Sequence, residues 1–395
     1  MTILVTGGDG YIGWPTALRL ANRTDDRVLI VDNFARREWV EEVGSVSAVP
    51  IAGIDERIAA AREVFDAGNL SFVEGDLVEK EFVDELLAVH EPDVIVHAAA
   101  QPSAPYSQIN GERANYTQHN NMQATRNLVW GLEEHDLTDT HFIETTTTGV
   151  YGAPEFPIPE GGATMVHEGE RDEVPFPAMA GSWYHLTKSH DAANLRLAAQ
   201  QFDIPISDVR TAITYGTETE ETRADERLKT RFDFDYYFGT VAHRFAAQAV
   251  AGYPVTVYGK GEQRKPFVSL EDAVEGLVEL ALADPDDRPE DLTVYNQVTR
   301  AISIVEIAET IADVGSEFDL DVAVEHFENP RDEDETHKME IDNDRYADVI
   351  GGKDQDFESG IRDVFESLTR YDETIAAHED RFLPGVLEDR IDDED

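Results

Sequence analysis

The chain opens on Thr2-Ile-Leu-Val-Thr-Gly-Gly-Asp-Gly-Tyr-Ile-Gly13, where an apolar run gives way at once to glycines at 7, 10 and 13. Ile3-Leu-Val5 suits a buried strand and Thr16–Asn22 carries a helical pattern, so the stretch predicts a strand, a tight turn and a helix. Glycines so spaced let the backbone approach a pyrophosphate, whose charge the open amides of a helix N-terminus can bind. A second apolar run, Val28–Val31, ends in Asp32. A carboxylate there accepts hydrogen bonds from a ribose diol and repels a 2′-phosphate, so the expected cofactor is NAD. Arg36 and Arg37 are the nearby side chains that would suit a 2′-phosphate instead.

Strand and helix patterns then alternate. A helix is expected over Asp55–Phe65, and a strand over Leu70–Asp76 places Asp76 where it can hold an adenine amino group. A helix at Lys80–His90, a strand at Asp93–Ala100, a helix at Glu112–Glu134 and a strand at Thr140–Thr148 follow. Asn120 and Asn121 sit inside that helix, where hydrogen bonds to backbone or cofactor compensate a poor helix former. Such alternation specifies an α/β fold with a doubly wound parallel Rossmann sheet.

The Pro- and Gly-rich stretch Ala153–Met179 reads as an ordered active-site loop, after which helical periodicity resumes over Ser182–Phe202 and a strand is expected over Ile204–Ile213. Shorter elements beyond it predict a smaller C-terminal α/β substrate-binding lobe. The expected division is an NAD-binding domain at 1–213, with insertions at 33–69 and 153–180. A nucleotide-sugar lobe at 214–395 would return some segments to the first domain.

Cysteine is absent, which excludes disulfides, thiolate nucleophiles and cysteine-ligated zinc. No targeting segment precedes the first strand and no apolar run could span a bilayer, so a cytoplasmic location is expected. The net charge is −50, from 82 acidic and 32 basic residues spread along the chain. Self-repulsion on that scale calls for a heavily screened solvent, as in the salt-rich cytoplasm of halophilic archaea. Nucleic acid, which needs clustered lysine and arginine, is a poor partner for such a surface.

Tyr184 and Lys188 are four apart and share one helix face, with Thr147 at the end of the preceding strand. Oxidising an alcohol requires loss of its proton as hydride leaves, and a phenol takes that proton near neutrality only if a cation stabilises the phenolate. The group therefore predicts hydride transfer at a carbinol, with Thr147 holding the same hydroxyl. His185 and His190 have no spaced set of further ligands, so no metal is expected.

With these residues in place the chain resembles the extended short-chain dehydrogenase/reductase superfamily and, within it, the UDP-sulfoquinovose synthase family. The resemblance rests on Gly7–Trp14, Val31-Asp-Asn33 with Arg36-Arg37, Ser103-Ala-Pro-Tyr-Ser107 and Tyr116-Thr-Gln-His-Asn-Asn121. Ser182-Trp-Tyr-His-Leu-Thr-Lys188, Arg231–Asp235 with Phe238-Gly-Thr240, Thr256–Gly261 and Asn329-Pro-Arg331 extend it. The glycine turn and the Tyr-Lys pair are superfamily-wide, whereas the Ser103–Ser107 and Tyr116–Asn121 stretches are far more specific.

That resemblance implies UDP-glucose and sulfite as reactants, tightly held NAD, and a homodimer. It implies oxidation at C4, loss of water across C5–C6, sulfite addition at C6 and return of hydride to C4. Thr147, Tyr184 and Lys188 match its catalytic group. Gly7, Gly10, Tyr11, Ile12, Gly13, Asp32, Asn33, Arg36, Asp76, Leu77 and Asn120 match cofactor positions, and Gln101, His185, Thr211, Arg244, Tyr258, Gln263 and Arg331 match substrate positions. Three positions depart from the family: Pro102 replaces an arginine, and Ala100 and Val150 replace acids. These departures touch elimination and sulfite addition more than C4 oxidation. A UDP-sugar 4-epimerase needs only the Thr-Tyr-Lys group, and a non-catalytic NAD-binding sensor or scaffold would share the fold.

Overall fold

The computed structural model describes residues 1–176, 179–327 and 339–383. Its first strands are β1 Thr2–Thr6, β2 Arg27–Asp32, β3 Leu70–Glu74, β4 Val94–His97 and β5 His141–Thr147. A hairpin of β6 Gly162–His167 and β7 Glu170–Pro175 precedes β8 Ile206–Thr211 and β9 Ile213–Tyr215. After these come β10 Val255–Tyr258, β11 Arg264–Ser269, β12 Leu292–Gln297, β13 Arg300–Ser303 and β14 Val324–Phe327. The central sheet runs β12-β8-β5-β4-β1-β2-β3, parallel throughout.

Its strands read as continuous apolar runs because both faces are covered. Alternate residues Ile3, Val5, Val28, Ile30, Val94 and Val96 pack with Trp14, Leu18 and Leu277 on one face. Leu4, Leu29, Val31, Ile95 and Phe142 pack with Leu86, Leu128 and Leu195 on the other. Each such side chain, fully buried, contributes roughly 1.5–3 kcal/mol. The covering helices include α1 Gly13–Arg23, α3 Ile54–Phe65, α4 Lys80–His90, α5 Gly111–Glu134 and α6 Trp183–Phe202, while α2 Ala35–Glu42 packs aside with Tyr106 and Phe238. A second core, containing Phe232, Phe245, Val257, Phe267, Ile307 and Phe365, lies under the small sheets β13-β11-β9 and β10-β14.

The structure corrects three expectations. Residues 153–179 are not simply a loop, since β6 and β7 pair antiparallel from Gly162 to Pro175. Both strands are mostly exposed, so no apolar alternation marks them, and the turn rests on Glu168 (φ 51°) and Gly169 (φ 89°). The strand expected over 204–213 breaks at Ala212: β8 stays in the central sheet while β9 pairs with β11 in the smaller one. Residues 33–69 hold α2 as well as the expected helix. Among the described residues, no helix is long and apolar enough to cross a membrane.

Candidate active site

A cavity of about 1110 Å³ opens at the carboxyl ends of β1–β5 and β8. β1 lies between β2 and β4, so strand order reverses there, and a parallel sheet leaves room for ligands at such a point. Every site residue expected from the sequence lines this cavity, except Gln101 and Arg331. Arg331, like the rest of Asn329-Pro-Arg331, lies outside the described residues.

On the cofactor side the glycine turn has no room for side chains. Gly7 adopts φ +71°, and a Cβ there would meet the Ala98–Ala99 backbone at 2.7 Å. A Cβ on Gly13 would lie 2.2 Å from the Gly7 carbonyl oxygen. Asp32 accepts the backbone N–H groups of Asp9 at 2.9 Å and Phe34 at 2.7 Å, which fixes its carboxylate and leaves acceptor capacity for a ribose diol. Burial raises its pKa, and those backbone donors oppose the shift.

Both neighbouring arginines are engaged with carboxylates. Arg37 makes a two-pronged pair with Asp9 at 2.7 Å for each bond, and Arg36 Nη2 donates to Asp233 at 2.6 Å. Arg36 Nη1 is buried without a protein partner, a donor that a ligand in the cavity would satisfy. Asp76 accepts Val78 N–H at 2.9 Å and lines the cavity with Leu77 and Asn120. Donors, diol acceptor and close backbone together fit NAD.

Gln101 belongs to the scaffold rather than to the substrate wall. It is fully buried, its side chain closes a turn with the backbone of Ser103, and its own backbone exchanges two hydrogen bonds with the Asn121 amide. Each of its polar groups therefore has a partner within the protein.

At the reaction end, β5 delivers Thr147, whose Oγ1 accepts Gly149 N–H at 3.1 Å. Ser182 caps α6 by accepting His185 N–H at 3.1 Å, which starts the helix so that Tyr184 and Lys188 face the cavity one turn apart. Burial raises the Tyr184 phenol, Lys188 pulls it down, and Asp191 and Glu144 oppose Lys188. Burial also works against the Lys188 ammonium, but Glu144 and Asp191 outweigh it and hold its pKa above the ordinary lysine range. His185 is kept neutral, its pKa lowered to about 4 by burial and by nearby Lys265.

Thr211, Arg244, Tyr258 and Gln263 also line the cavity, with Lys265, a residue the sequence reading passed over. Its signal was a basic pair, Arg264-Lys265, in a chain short of lysine. Ala100 and Pro102 also line the cavity, whereas Val150 is buried in an apolar cluster with Tyr151 and Ile158.

Residues 3–296 match the NAD dependent epimerase/dehydratase family. The chain is 40% identical to the chloroplastic UDP-sulfoquinovose synthase of Spinacia oleracea, over 85% of this chain and 68% of that protein. It is also 40% identical to the UDP-sulfoquinovose synthase of Sulfolobus acidocaldarius, over 85% of this chain and 84% of that one. In fold it is similar to the UDP-glucuronic acid 4-epimerase of Bacillus cereus, solved with UDP-glucuronic acid and NAD, with a TM-score of 0.68 and 19% identity. That likeness covers 94% of this chain and 99% of the epimerase.

Proposed function

The chain belongs to the NAD dependent epimerase/dehydratase family and, within it, to the UDP-sulfoquinovose synthases, and we propose that it converts UDP-glucose and sulfite to a UDP sugar bearing a 6-sulfonate. The observation that carries this reading is a junction. The family-specific stretch Ser103–Ser107 forms part of the cavity wall and bonds directly to the backbone of Tyr184.

Bound NAD supplies the hydride acceptor, and later the donor, for C4 of the glucose ring. Thr147 and Tyr184 hold the C4 hydroxyl, and the Tyr184 phenolate takes its proton as hydride leaves. Lys188 stabilises that phenolate. The C4 ketone acidifies the C5 proton, which neutral His185 is available to accept. The C6 hydroxyl then departs as water with the proton from His185, hydrogen sulfite adds through sulfur at C6 while its proton goes to C5, and hydride returns to C4 while Tyr184 gives its proton back. Arg244 and Lys265 offer positive charge for the diphosphate.

We further infer a homodimer in a salt-rich cytoplasm. Exposed Trp130 and Leu197, on the paired helices α5 and α6, support the dimer, and the net charge of −50 supports the salt.

The test is incubation in high salt with UDP-glucose and sulfite, followed by mass analysis of the nucleotide sugars. Replacement of a hydroxyl by sulfonate is expected, and UDP-glucose alone should yield no UDP-galactose. UDP-galactose without a sulfonate product would favour a 4-epimerase, the reading to which Ala100 and Pro102 at the cavity wall lend weight.

A further inference from the structure

Behind the Tyr184–Lys188 pair lies a buried charge cluster that the reaction scheme leaves unused. Lys188 Nζ donates to Glu144 Oε1 at 2.9 Å and lies 3.9 Å from Asp191 Oδ2. Glu144 comes from the middle of β5, and Asp191 sits one turn beyond Lys188 on α6. Both carboxylates are fully buried and Lys188 is 2% exposed. Glu144 Oε2 lacks a hydrogen-bond partner and Asp191 has at most a weak one in Thr125, so the ammonium is their principal compensation.

The other groups facing the cluster add no second cation. His97, from β4, lies 3.8 Å from Glu144, and burial lowers its pKa. Its ring nitrogens contact hydroxyls, with Thr6 Oγ1 at 2.6 Å and Thr125 Oγ1 at 3.4 Å. Asp208, from β8, bears on Asp191 but is paired with Arg210 at 3.0 Å. From α5 come Asn121 and Thr125, which carry no charge.

We propose that Glu144 and Asp191 are positioning residues that hold the Lys188 ammonium from behind and set how much of its charge reaches the Tyr184 phenol. The inference rests on Tyr184 acting as the proton acceptor. One ammonium faces two carboxylates, and charge spent on them is not available to a phenolate on the other side. Burial pushes Asp191 up to about 7. A single ammonium therefore faces two buried carboxyl groups, and the cluster is short of positive charge. Removing either acid leaves a balanced pair, and phenolate formation becomes easier.

Tyr184 can be titrated directly through tyrosinate absorbance of the holoenzyme, subtracting the same protein with Tyr184→Phe so that one phenol is isolated. In Glu144→Gln its ionisation constant should rise by about tenfold or more, and the ascending limb of turnover, which requires the phenolate, should move to lower pH in step. Glu144→Asp should restore most of the parent titration. Asp191→Asn should move the phenol the same way, and carries the test if Glu144→Gln fails to fold. A phenol titration unchanged to within about twofold in both folded variants would overturn the proposal. Full activity in Tyr184→Phe would instead remove the reading of Tyr184 itself, so the two failures are distinct.

Discussion

The backbone N–H of Tyr184 donates to Ser107 Oγ at 3.1 Å, joining residues 77 apart in the chain. Tyr184 lies in the first turn of α6, where backbone amides have no partner within the helix. Ser107 supplies one from the turn that precedes α5, and its own hydroxyl donates to the Ala104 carbonyl at 2.7 Å. The stretch Ser103–Ser107 therefore locks the start of α6 against the cavity wall. Removing one such bond costs about 1 kcal/mol, enough to loosen the aim of the phenol without unfolding the sheet.

Tyr184→Phe keeps the ring and removes the proton acceptor. Turnover with UDP-glucose and sulfite should fall by roughly 10²–10⁴-fold, the range for general acid–base catalysis. NAD should remain bound, because the glycine turn and Asp32 are untouched; cofactor content after gel filtration checks this. Near-normal turnover would exclude Tyr184 from the proton transfer.

Gly13→Ala places a methyl group 2.2 Å from the Gly7 carbonyl oxygen, a backbone atom that cannot swing aside as a side chain would. The turn must open, and the cofactor should be lost while the rest of the sheet folds. Purified variant is expected to carry little NAD and to retain parent circular dichroism. Full NAD occupancy would show that the turn can yield without loss of the site.

Acid should destabilise the protein through its buried histidines. His243 accepts Gly216 N–H at 3.2 Å and is held neutral, with a pKa lowered to about 4, first by burial. His141 is lowered to about 3, again chiefly by burial. Folded values below the ordinary 6.5 mean that the unfolded chain binds more protons, so this stability is present above pH 6.5 and is lost as pH falls towards 4. Denaturation in high salt at about pH 7.5 and about pH 5 should show the loss, and His243→Gln should reduce it by roughly 2 kcal/mol. An identical loss in that variant would mean that His243 does not titrate on unfolding.

Salt should act in the opposite sense to its usual effect on surface ion pairs. With a net charge of −50, self-repulsion among carboxylates dominates when screening is removed. The melting temperature should fall steadily as potassium chloride is lowered from about 3 M to about 0.1 M. A salt-independent transition would refute adaptation to a salt-rich cytoplasm.

The glycine turn, the order of strands and helices, and the placing of Tyr184 and Lys188 on one helix face were legible in the chain itself. Each depends on spacing over a few residues: apolar runs for strands buried on both faces, glycine where a Cβ has no room, and four residues for one helical turn. Tertiary structure decided who meets whom. Glu144 reaches Lys188 across 44 residues only because β5 lies beside β4 and α6 packs over it. Nothing in Phe142-Ile-Glu-Thr marks that glutamate as buried. Gln101, adjacent to residues of the cavity wall, turned inward because its amide could close a local turn. The exposed hairpin and the break at Ala212 also escaped a periodicity argument, because pairing and sheet switching are set by neighbours distant in sequence.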